Sequence, residues 1–137
     1  MLTTVDQSLS ARLVVDRATS QPIAARLHYQ RDDPIAVHLS FPAAISFEGG
    51  DVEWVFARDL LDLGLRFPSG DGDVHIWPCA PGRTMIEFCS PQGTALIEFP
   101  SADLRHFLRW AYAAVPVGKE WAHLDVDAAI AEMLDEA

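Results

Sequence analysis

The sequence predicts a strand-dominated α+β domain, built from two strands-then-helix repeats plus a C-terminal helix. Seven short segments alternate apolar and polar residues, which is the period of half-buried strands. Two segments with apolar residues at helical spacing follow the fourth and the seventh of them. At 137 residues the chain fits one domain, residues 1–137, which is long enough to bury a core without disulfides.

The first three strands are predicted as a meander over residues 8–15, 23–30 and 35–41. The segment 17–22 reads as one turn. Asp32-Asp33-Pro34 reads as the next turn, because proline presets φ at the second turn position and aspartate bonds backbone amides. Consecutive antiparallel strands of this kind leave one face of the sheet in solvent.

A fourth strand, residues 52–56, leads into a short helix. Its apolar residues show helical spacing: Leu60, Leu61, Gly64 and Leu65. We expect Gly64 at the left-handed position that commonly ends a helix.

The second repeat is predicted as strands 73–78, 84–89 and 94–99, followed by a second helix. Ser101 is expected to cap this helix, and Asp103 to favour the positive end of its dipole. Its apolar face contains Leu104, Phe107, Leu108 and Ala111. A third helix is predicted from residue 125 to about residue 135, where apolar residues again recur at helical spacing.

A similarity between two segments of the chain supports a duplicated strands-then-helix unit. Residues 52–56 precede Asp59 much as residues 95–99 precede Asp103. Each is a strand that ends in phenylalanine and is followed by an acidic residue early in a helix. Two strands-then-helix units of one design are therefore expected.

The excess of acidic residues limits the kinds of partner that the chain can bind. Ten basic residues face twenty acidic ones, a net charge of −10, and nucleic-acid binders neutralise phosphates with lysine and arginine. We therefore expect no nucleic acid and no anionic membrane surface as partner. No apolar run reaches membrane-spanning length, so direct membrane insertion is not expected and a cytoplasmic protein is predicted. The alternative is that the acidity only keeps the protein soluble.

No reaction chemistry emerges from the sequence, so the chain is predicted not to be an enzyme. The five histidines are dispersed without metal-ligand spacing, and there is no nucleophile motif or phosphate loop. His28, His38 and His75 are expected to face solvent, and Cys79 and Cys89 to stay unpaired. The prediction is no catalytic residue, no metal and no cofactor.

Four strings in this order, residues 33–37, 52–61, 72–78 and 90–93, closely resemble the SsgA-like sporulation and cell-division proteins of actinobacteria. The resemblance runs from about Val5 to the end of the chain. It implies a non-enzymatic regulator that is recruited to the division septum and promotes assembly of the division GTPase FtsZ, alone or with a sister SsgA-like paralogue.

The resemblance also implies a fold similar to the Whirly and guide-RNA-binding proteins, which assemble around oligomeric sheets. A homo-oligomer is expected, with a trimer favoured and a dimer as the alternative. Seven short strands without obvious edge protection also favour assembly. A single-stranded nucleic-acid-binding module of Whirly type is the alternative function, since aromatic residues are present although a basic groove is not evident.

The partner-binding residues are predicted on the two helices, because the sheet and the apolar stripes should be used by the core and by self-assembly. Aromatic and arginine side chains most often carry binding energy at interfaces. The candidates are Arg58, Asp59 and Asp62 on the first helix and Arg105, Arg109, Trp110 and Tyr112 on the second. The alternative for Trp110 and Tyr112 is that they fill the oligomer interface or cover the third helix.

Overall fold

The computed structural model describes residues 2–42 and 52–120, so the predicted third helix lies outside the described residues. Within them the chain forms seven strands and two helices, as predicted. They are β1 (Thr4–Val14), β2 (Ser20–Gln30), β3 (Asp33–Phe41), β4 (Val52–Ala57), α1 (Arg58–Gly64), β5 (Val74–Ala80), β6 (Arg83–Ser90), β7 (Gly93–Pro100) and α2 (Ser101–Ala114). The two strands-then-helix repeats are therefore confirmed. The similarity to Whirly proteins stays a prediction.

All seven strands belong to one antiparallel sheet with the order β4-β3-β2-β1-β7-β6-β5. Each repeat contributes a meander, and β1 joins the two. It pairs with β2 along its whole length but with β7 only where Arg12 lies opposite Glu98 and Leu13 opposite Ile97.

The sheet curls around a core on one of its faces. Phe88 of β6 contacts Phe41 of β3 and Trp54 of β4, with ring centroids 5.7 and 5.0 Å apart, although these strands lie in opposite meanders. Helix α2 covers part of this face and buries its predicted apolar side: Leu104, Phe107, Leu108 and Ala111. The core is therefore shared by both repeats.

Each helix begins directly after a strand, with no intervening loop. The residues before the helices, Ala57 and Pro100, have extended backbone and give no side-chain cap. The prediction that Ser101 caps α2 is wrong. Its hydroxyl is buried and lies 2.7 Å from the Thr84 hydroxyl, so it ties the start of α2 to β6. Asp103 does lie in the first turn.

Gly64 does not adopt the left-handed conformation that the sequence predicted. It is the last residue of α1, and Leu65, which follows, is right-handed. A Cβ atom at Gly64 would overlap the side chain of Ile76 on β5. The glycine is required by the close approach of α1 to β5 and not by a turn.

Three histidines lie on the outer face of the sheet, as expected, but they are more than solvent-facing residues. His28, His38 and His75 are each about a quarter to a third exposed. Their Nδ1 atoms lie 2.8 Å from Asp6, 3.1 Å from Glu53 and 2.8 Å from Glu87, respectively. Both cysteines are unpaired, as predicted. Neither described helix is long and apolar enough to cross a membrane.

Candidate partner-binding site on the two helices

Arg58 corrects the sequence interpretation most sharply. It was predicted as an exposed partner-binding residue, but only 1% of it is exposed. The reason lies in its position directly after β4, where the first residue of α1 faces inward beneath the end of α2. Arg58 is therefore a structural residue of the free chain.

The guanidinium of Arg58 closes the C-terminal end of α2. Its Nη1 donates to the carbonyl of Val115 at 2.6 Å and to that of Ala111 at 3.3 Å. Helix C-termini leave carbonyl groups without intrahelical donors, and a cation satisfies them and the dipole together. Nη1 also donates to the Tyr29 hydroxyl at 3.0 Å, and Nη2 donates to Glu120 Oε1 at 2.7 Å.

Tyr112 and Asp62 extend this arrangement between the helices. The Arg58 guanidinium lies 4.6 Å from the centre of the Tyr112 ring. The Tyr112 hydroxyl donates to Asp62 at 2.5 Å. Burial and the nearby Asp62 carboxylate both raise the pKa of the Tyr112 hydroxyl, so it stays protonated and remains a donor. We call these residues the Arg58 cluster: Tyr29, Arg58, Asp62, Tyr112 and Glu120.

The remaining predicted residues lie on the exposed side of the helices. Asp59 is exposed on α1, and Arg105 and Arg109 are exposed on α2. The two arginines are one helical turn apart and therefore share a stripe of the α2 surface. The structure thus places Asp62 and Tyr112 with the buried Arg58 and leaves the two arginines free of that cluster.

Trp110 lies on the opposite flank of α2 from Tyr112. It is 48% exposed, and its indole Nε1 donates to His106 Nε2 at 3.3 Å. The two rings meet edge to face with centroids 6.4 Å apart. Trp110 therefore presents an apolar area to solvent beside the His106 ring.

A groove runs beside Trp110 between β1 and α2. We call it the β1–α2 groove; its volume is about 250 Å³, and it is lined by Leu2, Thr4, Val5, Asp6, Gln7, His106 and Trp110. The amide of Gln7 donates to the carbonyl of Asp103 at 2.9 Å, which fixes the distance between strand and helix. The groove and the arginine stripe are adjacent parts of one exposed surface.

Some members of these arrangements were missed from the sequence. His106 lies four residues before Trp110, and that spacing is a readable signal for a pair on one helical face. Tyr29 and Glu120 are distant in sequence from Arg58, and no local sequence pattern predicts their contacts with it. Their meeting depends on the strand order, which the sequence pattern does not supply.

Comparison with known proteins places the chain in a family. The family of the Streptomyces sporulation and cell division protein SsgA matches residues 23–120. Two solved structures share the fold. One is a structure of SsgB, described with mutations that correlate to longitudinal cell division during sporulation of Streptomyces coelicolor. It has a TM-score of 0.81 and 45% sequence identity, and the match covers 88% of this chain and 95% of that chain. An SsgA-like sporulation-specific cell division protein from Thermobifida fusca has a TM-score of 0.80, 37% identity and coverage of 96% of both chains.

The chain belongs to the SsgA family. Within the family it is similar to proteins named sporulation-specific cell division protein SsgB. The one from Streptomyces coelicolor is 44% identical and is matched over 100% of both chains. The one from Kineococcus radiotolerans is 45% identical over 96% of this chain and 81% of its own length. These matches support an SsgB-type member, and they confirm the family resemblance drawn from the sequence strings.

Proposed function

We propose that this chain is a non-enzymatic adaptor of sporulation septation that positions or promotes assembly of the division GTPase FtsZ. The observation that carries the proposal is similarity over the full chain to proteins named for sporulation-specific cell division. The adaptor acts in the cytoplasm and is recruited to the septum, where FtsZ or a sister SsgA-like paralogue is its partner.

The partner-binding surface in this proposal is the exposed side of α2. It combines the two features that most often concentrate binding energy, an exposed aromatic residue and arginines. Trp110 provides the aromatic area beside the β1–α2 groove, and Arg105 and Arg109 provide cations. In a chain with a net charge of −10, this stripe would select an acidic partner segment and orient it on approach.

Exposed Asp59 and the half-buried pair of Asp62 and Tyr112 would form the α1 side of this surface. Asp59 and Asp62 lie on α1, and Tyr112 lies on α2, where its hydroxyl donates to Asp62. We assign the main binding energy to α2 and a positioning role to α1, because carboxylates on α1 would discourage an acidic segment from crossing over to it.

The test is the double variant Arg109→Ala and Trp110→Ala. Loss of hot-spot residues costs about 2 kcal/mol or more each, so septal localisation in sporulating cells should be abolished. Binding to purified FtsZ should weaken by roughly 30-fold or more for each residue and by roughly 700-fold for the pair if the losses add, since 1.4 kcal/mol is a factor of ten. Both residues are exposed, so the melting temperature and the oligomer mass should stay near those of the wild type.

The chain offers a matched control. Arg17 is exposed in the β1–β2 turn and Phe67 is 50% exposed after α1, so Arg17→Ala with Phe67→Ala removes the same kinds of group elsewhere. The control should localise normally. If the α2 variant localises like the wild type, the surface is assigned wrongly; if it melts early or dissociates, these residues are structural.

A further inference from the structure

A side-chain cluster of a different kind lies on the outer face of the second meander, away from α2. His75 on β5 and Glu87 on β6 are directly opposite each other in the sheet, and Cys89 follows on the same face of β6. The His75 Nδ1 atom lies 2.8 Å from Glu87 Oε1, and Cys89 Sγ lies 3.7 Å from the same oxygen. One nitrogen, one oxygen and one sulfur atom therefore converge within 4.8 Å of one another.

We propose that His75, Glu87 and Cys89 bind a zinc ion. Around tetrahedral zinc, ligand atoms at bond lengths of about 2.0 to 2.3 Å lie roughly 3.3 to 3.6 Å apart. The present separations reach that arrangement through small side-chain rotations. A combination of imidazole, thiolate and carboxylate suits zinc, whereas magnesium and calcium prefer oxygen ligands alone.

The backbone supports the geometry. All three residues lie on paired strands and not on a loop, and the N–H of Cys89 donates to the carbonyl of Asp73 at 2.8 Å, so the hydrogen bonding between the two segments extends to the cysteine. Each of the three is partly buried, which leaves a path for an ion from solvent. Three protein ligands leave the fourth position to water.

Binding requires the thiolate. In the free chain the Cys89 thiol donates to the Glu87 carboxylate. When zinc binds, the sulfur–hydrogen bond breaks, the sulfur–zinc bond forms, and the proton leaves to solvent.

This site was invisible to spacing rules because its ligands come from two strands. His75 and Glu87 are twelve residues apart, and only the register of β5 against β6 brings them together. Sequence motifs for zinc depend on ligands close together in turns or on one helix. The cluster therefore adds a site where none was predicted.

The experiment uses cobalt(II) as a spectroscopic substitute for zinc in the whole chain. The wild type should bind about one cobalt per chain, show a near-ultraviolet thiolate-to-cobalt charge-transfer band, and lose that band on addition of zinc. Cys89→Ser should abolish the band. His75→Gln and Glu87→Gln should each weaken binding roughly tenfold or more, because even second-sphere losses cost about 10- to 100-fold.

Cys79→Ser is the matched control, since the chain has two cysteines and Cys79 is exposed near the far end of β5, about 13 Å along the strand from His75. It should retain the band. Circular dichroism of metal-free Cys89→Ser verifies folding, and His75→Gln gives an independent result that leaves both thiols in place. Absence of the band from the wild type, or its loss in Cys79→Ser with retention in Cys89→Ser, would overturn the proposal.

Discussion

Arg58 illustrates how a charged residue early in a short helix is placed by the fold around it and not by its own sequence. It satisfies carbonyls at the end of α2 and the hydroxyl of Tyr29. Burying a charge is tolerated only with partners of this kind. Sequence patterns treat arginine as a surface residue, and here that assumption fails because the acceptors come from distant elements.

Arg58→Ala should lower the free energy of unfolding by about 3 to 5 kcal/mol, since it removes one partner of a buried ion pair and exposes acceptors that nothing replaces. Urea unfolding measures this. Glu120→Ala should cost clearly less, about 1 to 2 kcal/mol, because Arg58 keeps its other three acceptors. Equal losses for the two variants would mean that the ion pair alone carries the stabilisation.

His38 gives the fold a pH-dependent contribution. Burial lowers the pKa of its imidazole, but hydrogen bonds to Glu53 and Asp33 outweigh burial, and the pKa is raised above 6.5. Only the protonated ring donates from both nitrogens to the two carboxylates. Because the folded-state pKa is the higher one, this stabilisation is complete below pH 6.5 and is lost as pH rises through the raised folded pKa.

The stability difference between the wild type and His38→Gln should therefore shrink as the pH is raised from about 6 to about 8. Thermal unfolding across that range measures the difference. In a background carrying Glu53→Gln and Asp33→Asn, burial alone acts on the imidazole and lowers its pKa, so the difference should no longer shrink as the pH rises. A difference that grows with pH in the unmodified background would reverse the assignment.

At the scale of elements, the apolar periodicity correctly predicted the number and type of the strands and helices within the described residues. The main discrepancy is the start of β1, predicted at residue 8 and found at Thr4. Gln7 interrupts the apolar alternation between Val5 and Leu9, so the pattern placed the start of the strand too late in the sequence. In the structure Gln7 keeps its inward place because the carbonyl of Asp103 accepts from its amide.

The contact between α1 and β5 depends on the absence of a side chain at Gly64. Gly64→Ala should destabilise the protein by about 1 to 3 kcal/mol through overpacking against Ile76, although alanine favours helix more than glycine. Chemical denaturation is the measurement. Gly72→Ala is the control, because a Cβ there meets no neighbour, and it should be neutral or slightly stabilising. Stabilisation by Gly64→Ala would show that the helix can move away from β5.

On the scale of the whole molecule, the strand order could not be predicted. Alternation indicates which residues share a face but not which strands pair, and the pairing of β1 with β7 joins Arg12 to Glu98 across most of the chain. The Arg58 cluster depends on this long-range order, whereas the zinc ligands depend on the register between the consecutive strands β5 and β6. The exposed residues Arg105, Arg109 and Trp110 needed only helical periodicity, which explains why their exposure was predicted correctly.

Among the residues that the structure describes, β4 and β5 are the two edge strands of the sheet. Ser69 forms two backbone hydrogen bonds with Ile76 and covers part of β5. Among the described strands β4 pairs only with β3, and it carries one charged residue, Glu53. Such an edge is a template for association, which supports the proposed homo-oligomer.

We predict that Val55→Glu disrupts this assembly, because Val55 is 51% exposed on β4 and the change adds a charge at the edge. Sedimentation equilibrium at tens of micromolar should give three times the 15.1 kDa chain mass for the wild type and a smaller species for the variant. Val15→Glu, at a residue 59% exposed beyond the end of β1, is the control and should keep the wild-type mass. A monomeric wild type would refute the oligomer, and twice the chain mass would replace the trimer with a dimer.

The pairing of β1 with β7 also determines the order in which parts of the sheet can form during synthesis. A ribosome releases β1 to β4 first, and these strands pair with near neighbours, whereas β7 emerges more than eighty residues after Arg12. Closing the loop between β1 and β7 costs conformational entropy before the contacts between these two strands can form. Until β7 has been synthesised, the apolar face of the first meander therefore remains uncovered. During this interval the nascent chain is most prone to aggregate and to bind chaperones.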